Sequence, residues 1–181
     1  MLKPIYQHIT LLYLMIVIYS LCAFNTAHAN EFSHHVHGQA ELTIAIEQSR
    51  IEINFQAPAE SLLGFEHQAV TKHELEKVSA LKKQLSQQHI IRFKGGNCQA
   101  IASDINTDSI MNENHQTHAH PHAEIMANYI FECADEENIT SASVMLFTYY
   151  PTLNNIHAMW VTQQRQGSTV LSPIKIKINL K

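Results

Sequence analysis

The sequence predicts an α+β or mainly β domain: an antiparallel sheet of about seven or eight short strands, one long helix and a His-rich loop. Short runs in which apolar and polar residues alternate recur along the chain, as in strands with one buried face. Only Lys72 to Gln88 has apolar residues at helical spacing over several turns. Few parallel crossovers fit between these runs, which favours antiparallel pairing.

The first two strands are predicted to form a hairpin. Ala40 to Ile46 and Ile51 to Phe55 both alternate, and Gln48-Ser49 separates them. Pro58 ends the second strand because proline cannot donate a hydrogen bond to the ladder. The next stretch, Ser61 to His67, is expected to form a compact apolar turn.

The long helix has a start signal and an apolar stripe. Thr71 is the expected N-cap, and Glu74 three residues later completes a capping box. The apolar stripe comprises Leu75, Val78, Leu81 and Leu85.

The second half of the chain contains further predicted strands and one long loop. Residues 106–124 are rich in Asn, Asp, Thr and His and lack apolar periodicity, so this long connection is functional or disordered. Gln166-Gly167 is a predicted turn. The strands are predicted over Ile90 to Phe93, Cys98 to Ile105, Ile125 to Cys133, Val144 to Tyr149, Ile156 to Thr162, Val170-Leu171 and Ile174 to Leu180.

Residues 1–29 have the pattern of a secretory signal peptide. Lys3 gives a positive start, Ile9 to Ala23 is almost entirely apolar, and Ala27-His28-Ala29 suits cleavage before Asn30. An uncleaved anchor is the alternative, but an apolar run of about 15 residues is shorter than the ~20 that a spanning helix needs. The expected mature chain is a single domain of residues 30–181 without a membrane span.

The charge of this mature chain indicates which partners it could bind, and its cysteines indicate a disulfide. Eleven basic and sixteen acidic residues leave a formal charge of −5, which gives no attraction to nucleic acid or anionic lipid and suits a cationic partner. Cys98 and Cys133 form an even pair in an exported chain, most simply a disulfide. Two buried free thiols are the alternative. We do not expect the cysteines to bind a metal, because the chain lacks the CxxC spacing typical of such sites.

Histidines are the predicted zinc ligands, because neutral imidazole suits zinc, copper and nickel. In the segment HAHPH, residues two apart project to one side of an extended chain, although a loop site must be ordered on binding at an entropic cost. The candidate ligands are His34, His35, His37, His67, His115, His118, His120 and His122.

A tighter site is expected near the start of the mature chain. His35 and His37 precede a strand that would point both to one face, and His67 could supply a third ligand to tetrahedral zinc. His67 as an ordinary core or surface histidine remains the alternative.

Two rivals to a zinc-binding protein remain open. The first is a cupin-like metalloenzyme with His35, His37 and Glu41 as ligands, although only half of that motif is present. The second is a copper- or nickel-binding protein, since imidazole sites generally hold copper more tightly than zinc. The chain has no HExxH motif, nucleophile elbow or phosphate loop, so we do not expect an enzyme.

The stretches that show a wider similarity are HHVHGQAELTIAIE, QAPAESLLGFEH, the His-rich loop, YIFECAD, MLFTYYPTLNNI and VTQQRQGSTVLSP. In these stretches the mature chain resembles members of the ZrgA family, which are zinc-regulated periplasmic proteins of Gram-negative bacteria. The resemblance implies periplasmic zinc binding that supports uptake through a zinc ABC transporter. Its expected partners are the zinc ion and the zinc-binding component of that transporter. The loop here has four spaced histidines where relatives often carry longer His/Asp/Glu runs.

The signal-peptide pattern generates the first testable prediction. Mass spectrometry of the protein exported by its host should find a mature N-terminus at Asn30, because Ala27-His28-Ala29 supplies the small residues that signal peptidase requires. A chain that retains Met1 in a membrane fraction would contradict export of a cleaved, free protein.

Overall fold

A computed structural model describes residues 36–111 and 123–181. Within these residues the chain forms nine strands in two sheets, so the mainly β class is confirmed and the single sheet of seven or eight strands is wrong. The strands are β1 (Gln39–Glu47), β2 (Arg50–Pro58), β3 (Ile91–Lys94), β4 (Cys98–Asn106), β5 (Glu124–Cys133), β6 (Ser141–Val144), β7 (Asn155–Val161), β8 (Gln166–Leu171) and β9 (Lys177–Asn179).

One helix is long and three are short in the part of the chain that the structure describes. They are α1 (Ala59–Leu63), α2 (Lys72–Leu85), α3 (Asp108–Met111) and α4 (Leu146–Tyr149). Two single 3₁₀ turns, Gln88–Ile90 and Glu136–Asn138, complete the helical elements. None of these helices is long and apolar enough to cross a bilayer.

The larger sheet has six strands in the order β4-β5-β2-β1-β7-β8. Its neighbours pair antiparallel except β1 and β7, which run parallel from Gln39 opposite Asn155 to Ala45 opposite Val161. This parallel pair corrects the expectation of an antiparallel sheet. A parallel pair needs a long crossover, and the chain between β2 and β7 supplies it by forming α2 and most of the second sheet.

Strand alternation determines which face of the larger sheet is buried. In β1 and β2, Leu42, Ile44, Ile51 and Phe55 are almost completely buried, while the residues between them face solvent. The smaller sheet, in the order β3-β6-β9, contributes Ile91, Ala142, Val144 and Ile178 to the same core. The rings of Phe93 and Phe131 meet edge to face at 5.2 Å between centroids, so the two sheets are in direct contact.

Helix α2 begins as predicted and ends earlier than predicted. The Thr71 hydroxyl accepts from the Glu74 amide at 3.3 Å, and Glu74 Oε2 accepts from the Thr71 amide at 2.9 Å, so the capping box is confirmed. The helix stops at Leu85, where the Ser86 hydroxyl donates to the Lys82 carbonyl at 2.8 Å. Leu75 is 40% exposed, so the core face of α2 consists of Val78, Leu81 and Leu85.

Two local predictions in the second half of the chain are wrong. The strand predicted over Val144 to Tyr149 is the end of β6 followed by α4. The turn predicted at Gln166-Gly167 is the start of β8, and the chain turns earlier, where Thr162 Oγ1 accepts from the Arg165 amide at 3.0 Å. After Val144 the backbone closes helical hydrogen bonds, with the Tyr150 amide donating to the Leu146 carbonyl at 2.9 Å. After Val161 the Thr162 hydroxyl stabilises the turn by accepting from two of the amides that follow.

The predicted disulfide joins two neighbouring strands. Cys98 at the start of β4 lies directly opposite Cys133 at the end of β5, and their sulfur atoms are bonded. The residues are 35 positions apart, and the closed segment contains all four loop histidines of the sequence prediction. The connection that contains those histidines joins the opposite ends of the two strands, where Asn106 pairs with Met126. The expectation that the bridge anchors the base of this loop is therefore wrong, because the bridge closes the far end of the hairpin instead.

Reduction of this disulfide should lower the melting temperature by about 6 °C or more. In the chain-entropy model, a closed segment of this length stabilises the fold by roughly 3 to 4 kcal/mol. Differential scanning calorimetry with and without reductant measures the shift, and C98S/C133S is the control that reductant should not affect further. Zinc binding by the loop histidines should persist, because the bridge contributes no ligand. Two reactive thiols per mature chain, residues 30–181, in unfolded and unreduced protein would contradict the bridge.

Candidate metal centre

His37 is presented by a tight turn immediately before β1. The Gln39 amide donates to the Val36 carbonyl at 2.9 Å, which places His37 and Gly38 at the two central positions of the turn. Gly38 has φ +79°, the value that the third position of a type II turn requires and that glycine adopts without strain. A Cβ at this position would overlap the side-chain amide of Asn154. The His37 side chain remains 60% exposed at the surface.

Two glutamates reach His37 from the segment that follows β2. Helix α1 carries Glu60 in its first turn and ends at Gly64, which has φ +81° and reverses the chain. Glu66 follows two residues later and is less exposed than Glu60. A five-residue helix with a left-handed glycine cap thus brings two carboxylates to one place.

The side chains of His37, Glu60 and Glu66 form a candidate metal-binding group, which we name the zinc-centre group. Their potential ligand atoms all lie within 4.8 Å of one another. His37 Nδ1 contacts Glu60 Oε2 directly and lies 3.7 Å from Glu66 Oε1. Ligands about 2.1 Å from a tetrahedral zinc ion are about 3.4 Å apart, so small side-chain movements would suit this group to zinc.

The donor set indicates which ions the group could bind. One imidazole nitrogen and two carboxylates match zinc, whereas cuprous ion prefers thiolate and thioether ligands. Two carboxylates also compensate the double positive charge of the ion. The arrangement is therefore suited to capture of a divalent cation at the protein surface.

His67 is placed differently from the sequence prediction. Its Nε2 lies 2.8 Å from Glu74 Oε1, and because a carboxylate only accepts, this nitrogen carries the proton. Its ring packs 5.0 Å from that of Phe65. The neighbouring Glu66, not His67, belongs to the group around His37.

The other predicted ligands fall outside residues 36–111 and 123–181, and their participation stays a prediction. They are His34, His35, His115, His118, His120 and His122.

Glu41, proposed for the cupin-like alternative, is not in the zinc-centre group. It lies on the solvent face of β1 with Gln56 and His157 as its register partners. Of the remaining histidines, His73 is exposed on α2, and the His89 ring lies 5.5 Å from that of Tyr149.

Sequence reasoning missed Glu60 and Glu66 as candidate ligands. Glu60 directly precedes the apolar turn of Ser61 to His67, and Glu66 lies within this turn, directly before His67. Two carboxylates around a turn, next to a candidate histidine, are the signal that could have identified them. Their proximity to His37, more than twenty residues earlier, depends on the fold.

Glu74 anchors the segment that contains Glu66 to the start of α2. Its Oε2 accepts from the Thr71 amide at 2.9 Å and from the Val70 amide at 3.1 Å, and its Oε1 contacts His67. The Thr71 amide contributes most, and with His67 and the other donors it lowers the pKa of Glu74 from 4.5 to about 2.

Comparison with known proteins gives one match over most of the chain. A family model described as "ZrgA family zinc uptake protein" matches residues 34–180, which include the whole zinc-centre group. None of the curated proteins matches the chain.

The substitution Glu74→Gln should lower the melting temperature at neutral pH. In acid, the variant and the wild type should have the same melting temperature. Because the folded-state pKa lies below the ordinary value, the carboxylate stabilises the fold above about pH 4.5, and this contribution disappears as pH falls towards 2. Thermal unfolding from pH 7 to pH 2.5 measures the difference. Glu76→Gln is the control, since Glu76 is an exposed carboxylate of the same helix, 3.9 Å from Lys72. Equal effects of the two substitutions at pH 7 would contradict the anchoring role.

Proposed function

The chain belongs to the ZrgA family of zinc uptake proteins, and we propose that it captures zinc through the zinc-centre group. The observation that carries this proposal is the convergence of His37, Glu60 and Glu66, with all ligand atoms within 4.8 Å. The three residues come from two separate segments, the turn before β1 and the segment from α1 to Glu66. Such a centre exists only in the folded chain, so its ligands are partly positioned before zinc arrives.

The proposed location is the periplasm, where the protein would hand zinc to the zinc-binding component of an ABC transporter. The signal-peptide pattern of residues 1–29 supports export. The Cys98–Cys133 bridge supports an oxidising compartment, since disulfides are rare in the cytosol. The exposed side chain of His37 suits transfer, because an acceptor's ligand can reach an ion at the surface.

We propose binding and delivery of zinc rather than catalysis. The loop histidines would act as a second, weaker zinc site, because a loop must be ordered when it binds. The zinc-centre group would be the tighter site. Its two carboxylates disfavour cuprous ion, whereas cupric and nickel ions accept the same nitrogen and oxygen ligands as zinc. Metal analysis of the protein purified from its host therefore distinguishes zinc from the copper- or nickel-binding alternative.

The proposed function predicts that two sets of substitutions remove different zinc sites. In isothermal titration calorimetry, H115S/H118S/H120S/H122S should bind fewer zinc ions than the wild type and keep the tighter site. Glu60→Gln and His37→Ala should each weaken the tighter site by at least about tenfold, because each removes one of its ligands.

The matched control is Glu52→Gln, which removes an exposed carboxylate whose Oε1 lies 2.8 Å from Arg50 and outside the zinc-centre group. It should bind zinc as the wild type does. If replacement of the four loop histidines abolishes all zinc binding, the zinc-centre group is not a site.

A further inference from the structure

We infer that Ser61 is the positioning residue of the zinc centre. Its buried hydroxyl ties the turn that carries His37 to the helix that carries Glu60. The inference rests on the proposed function, since it assigns a role in zinc binding to a residue that does not touch the ion.

Ser61 lies on the buried side of α1 and is only 3% exposed. Its Oγ accepts a hydrogen bond from the Gly38 amide at 2.9 Å, across 23 residues of sequence. A buried amide needs an acceptor, and for Gly38 the Ser61 hydroxyl is that acceptor. The hydrogen bond therefore determines how the turn sits on α1.

The positions of the two partners connect this hydrogen bond to the ligands. Ser61 directly follows Glu60, and Gly38 directly follows His37. Fixing Ser61 to Gly38 consequently fixes the backbone positions from which two of the three ligands project. Side-chain rotation alone then brings Nδ1 of His37 to a carboxylate oxygen of Glu60.

A second set of hydrogen bonds fixes the same unit to the connection before β7. The Thr152 hydroxyl donates to the Ser61 carbonyl. The Gly38 carbonyl accepts from the Asn154 amide at 2.7 Å and from the Asn155 amide at 3.1 Å. The turn, α1 and this connection thus hold one another in place, with Ser61 and Gly38 bonded to both other segments.

Loss of the Ser61 hydroxyl should affect zinc affinity more than the fold as a whole. The sheet and the core retain their contacts, while the Gly38 amide loses its acceptor and the turn can shift relative to α1. Ligands that are no longer pre-positioned must be ordered when zinc binds. Substitution of residues that orient metal ligands typically weakens metal affinity by roughly 10- to 100-fold.

The test uses Ser61→Ala in the full chain that carries H115S/H118S/H120S/H122S, so that the loop histidines do not contribute. Zinc affinity is measured at 25 °C by competition with a chelator of known affinity, and melting of the zinc-free protein is measured in parallel. We expect a zinc Kd that is roughly 10- to 100-fold higher, with the variant fully folded at 25 °C.

Ser86→Ala is the matched control, because it removes a serine hydroxyl that also makes one hydrogen bond, at 2.8 Å, but at the far end of α2. It should leave the zinc Kd unchanged. A folded Ser61→Ala variant with the zinc Kd of its parent would overturn the inference, whatever its melting temperature.

If Ser61→Ala does not fold, Thr152→Val replaces it, since this change removes the hydroxyl that holds the Ser61 carbonyl and conserves side-chain shape. The zinc Kd should again rise, and an unchanged Kd would overturn the inference.

The variant Glu60→Gln, in the background without the loop histidines, separates the proposed function from the positioning role of Ser61. If it binds zinc as the parent does, both the centre and its positioning residue are wrong. If it loses zinc while Ser61→Ala does not, only the positioning role is wrong.

Discussion

The parallel pairing of β1 with β7 is the constraint on which the rest of the structure depends. It places the first residues of both strands side by side, with Gln39 opposite Asn155. The Gly38 carbonyl can therefore accept from the amides of Asn154 and Asn155, which fixes the turn that carries His37. An antiparallel arrangement would place the start of β1 beside the end of β7, and these hydrogen bonds could not form. The location of the candidate zinc centre thus follows from a pairing between strands that are distant in sequence.

The candidate centre combines a firmly held backbone with an exposed histidine and two partly buried glutamates. The Gly38 amide and the Ser61 hydroxyl are buried, and Glu74 holds the segment after α1 at the start of α2. The His37 ring nevertheless remains more than half exposed. A structural zinc site would normally enclose its ion with four protein ligands. A surface centre on a fixed backbone is better suited to a cation that has to be bound and then passed on.

Local features of the fold were predictable because local chemistry determines them. The hairpin of β1 and β2 follows from strict alternation, and the start of α2 follows from the Thr71–Glu74 capping box. The pairing of Cys98 with Cys133 was predicted from the even number of cysteines that remains when the signal-peptide pattern of residues 1–29 is set aside. His37 was a candidate ligand from its place beside other histidines.

Three features were not predictable from the sequence. These are the parallel pair, the division into two sheets and the contribution of Glu60 and Glu66. Each depends on contacts between distant segments, which residue periodicity does not encode.

The central claim is that His37, Glu60 and Glu66 bind zinc together. The most direct measurement is anomalous diffraction at the zinc absorption edge from crystals of the zinc-loaded mature chain. The account predicts a zinc peak about 2 Å from a ring nitrogen of His37 and from a carboxylate oxygen of both glutamates. Zinc peaks only at other residues, with Glu60 and Glu66 more than about 4 Å from any ion, would contradict it.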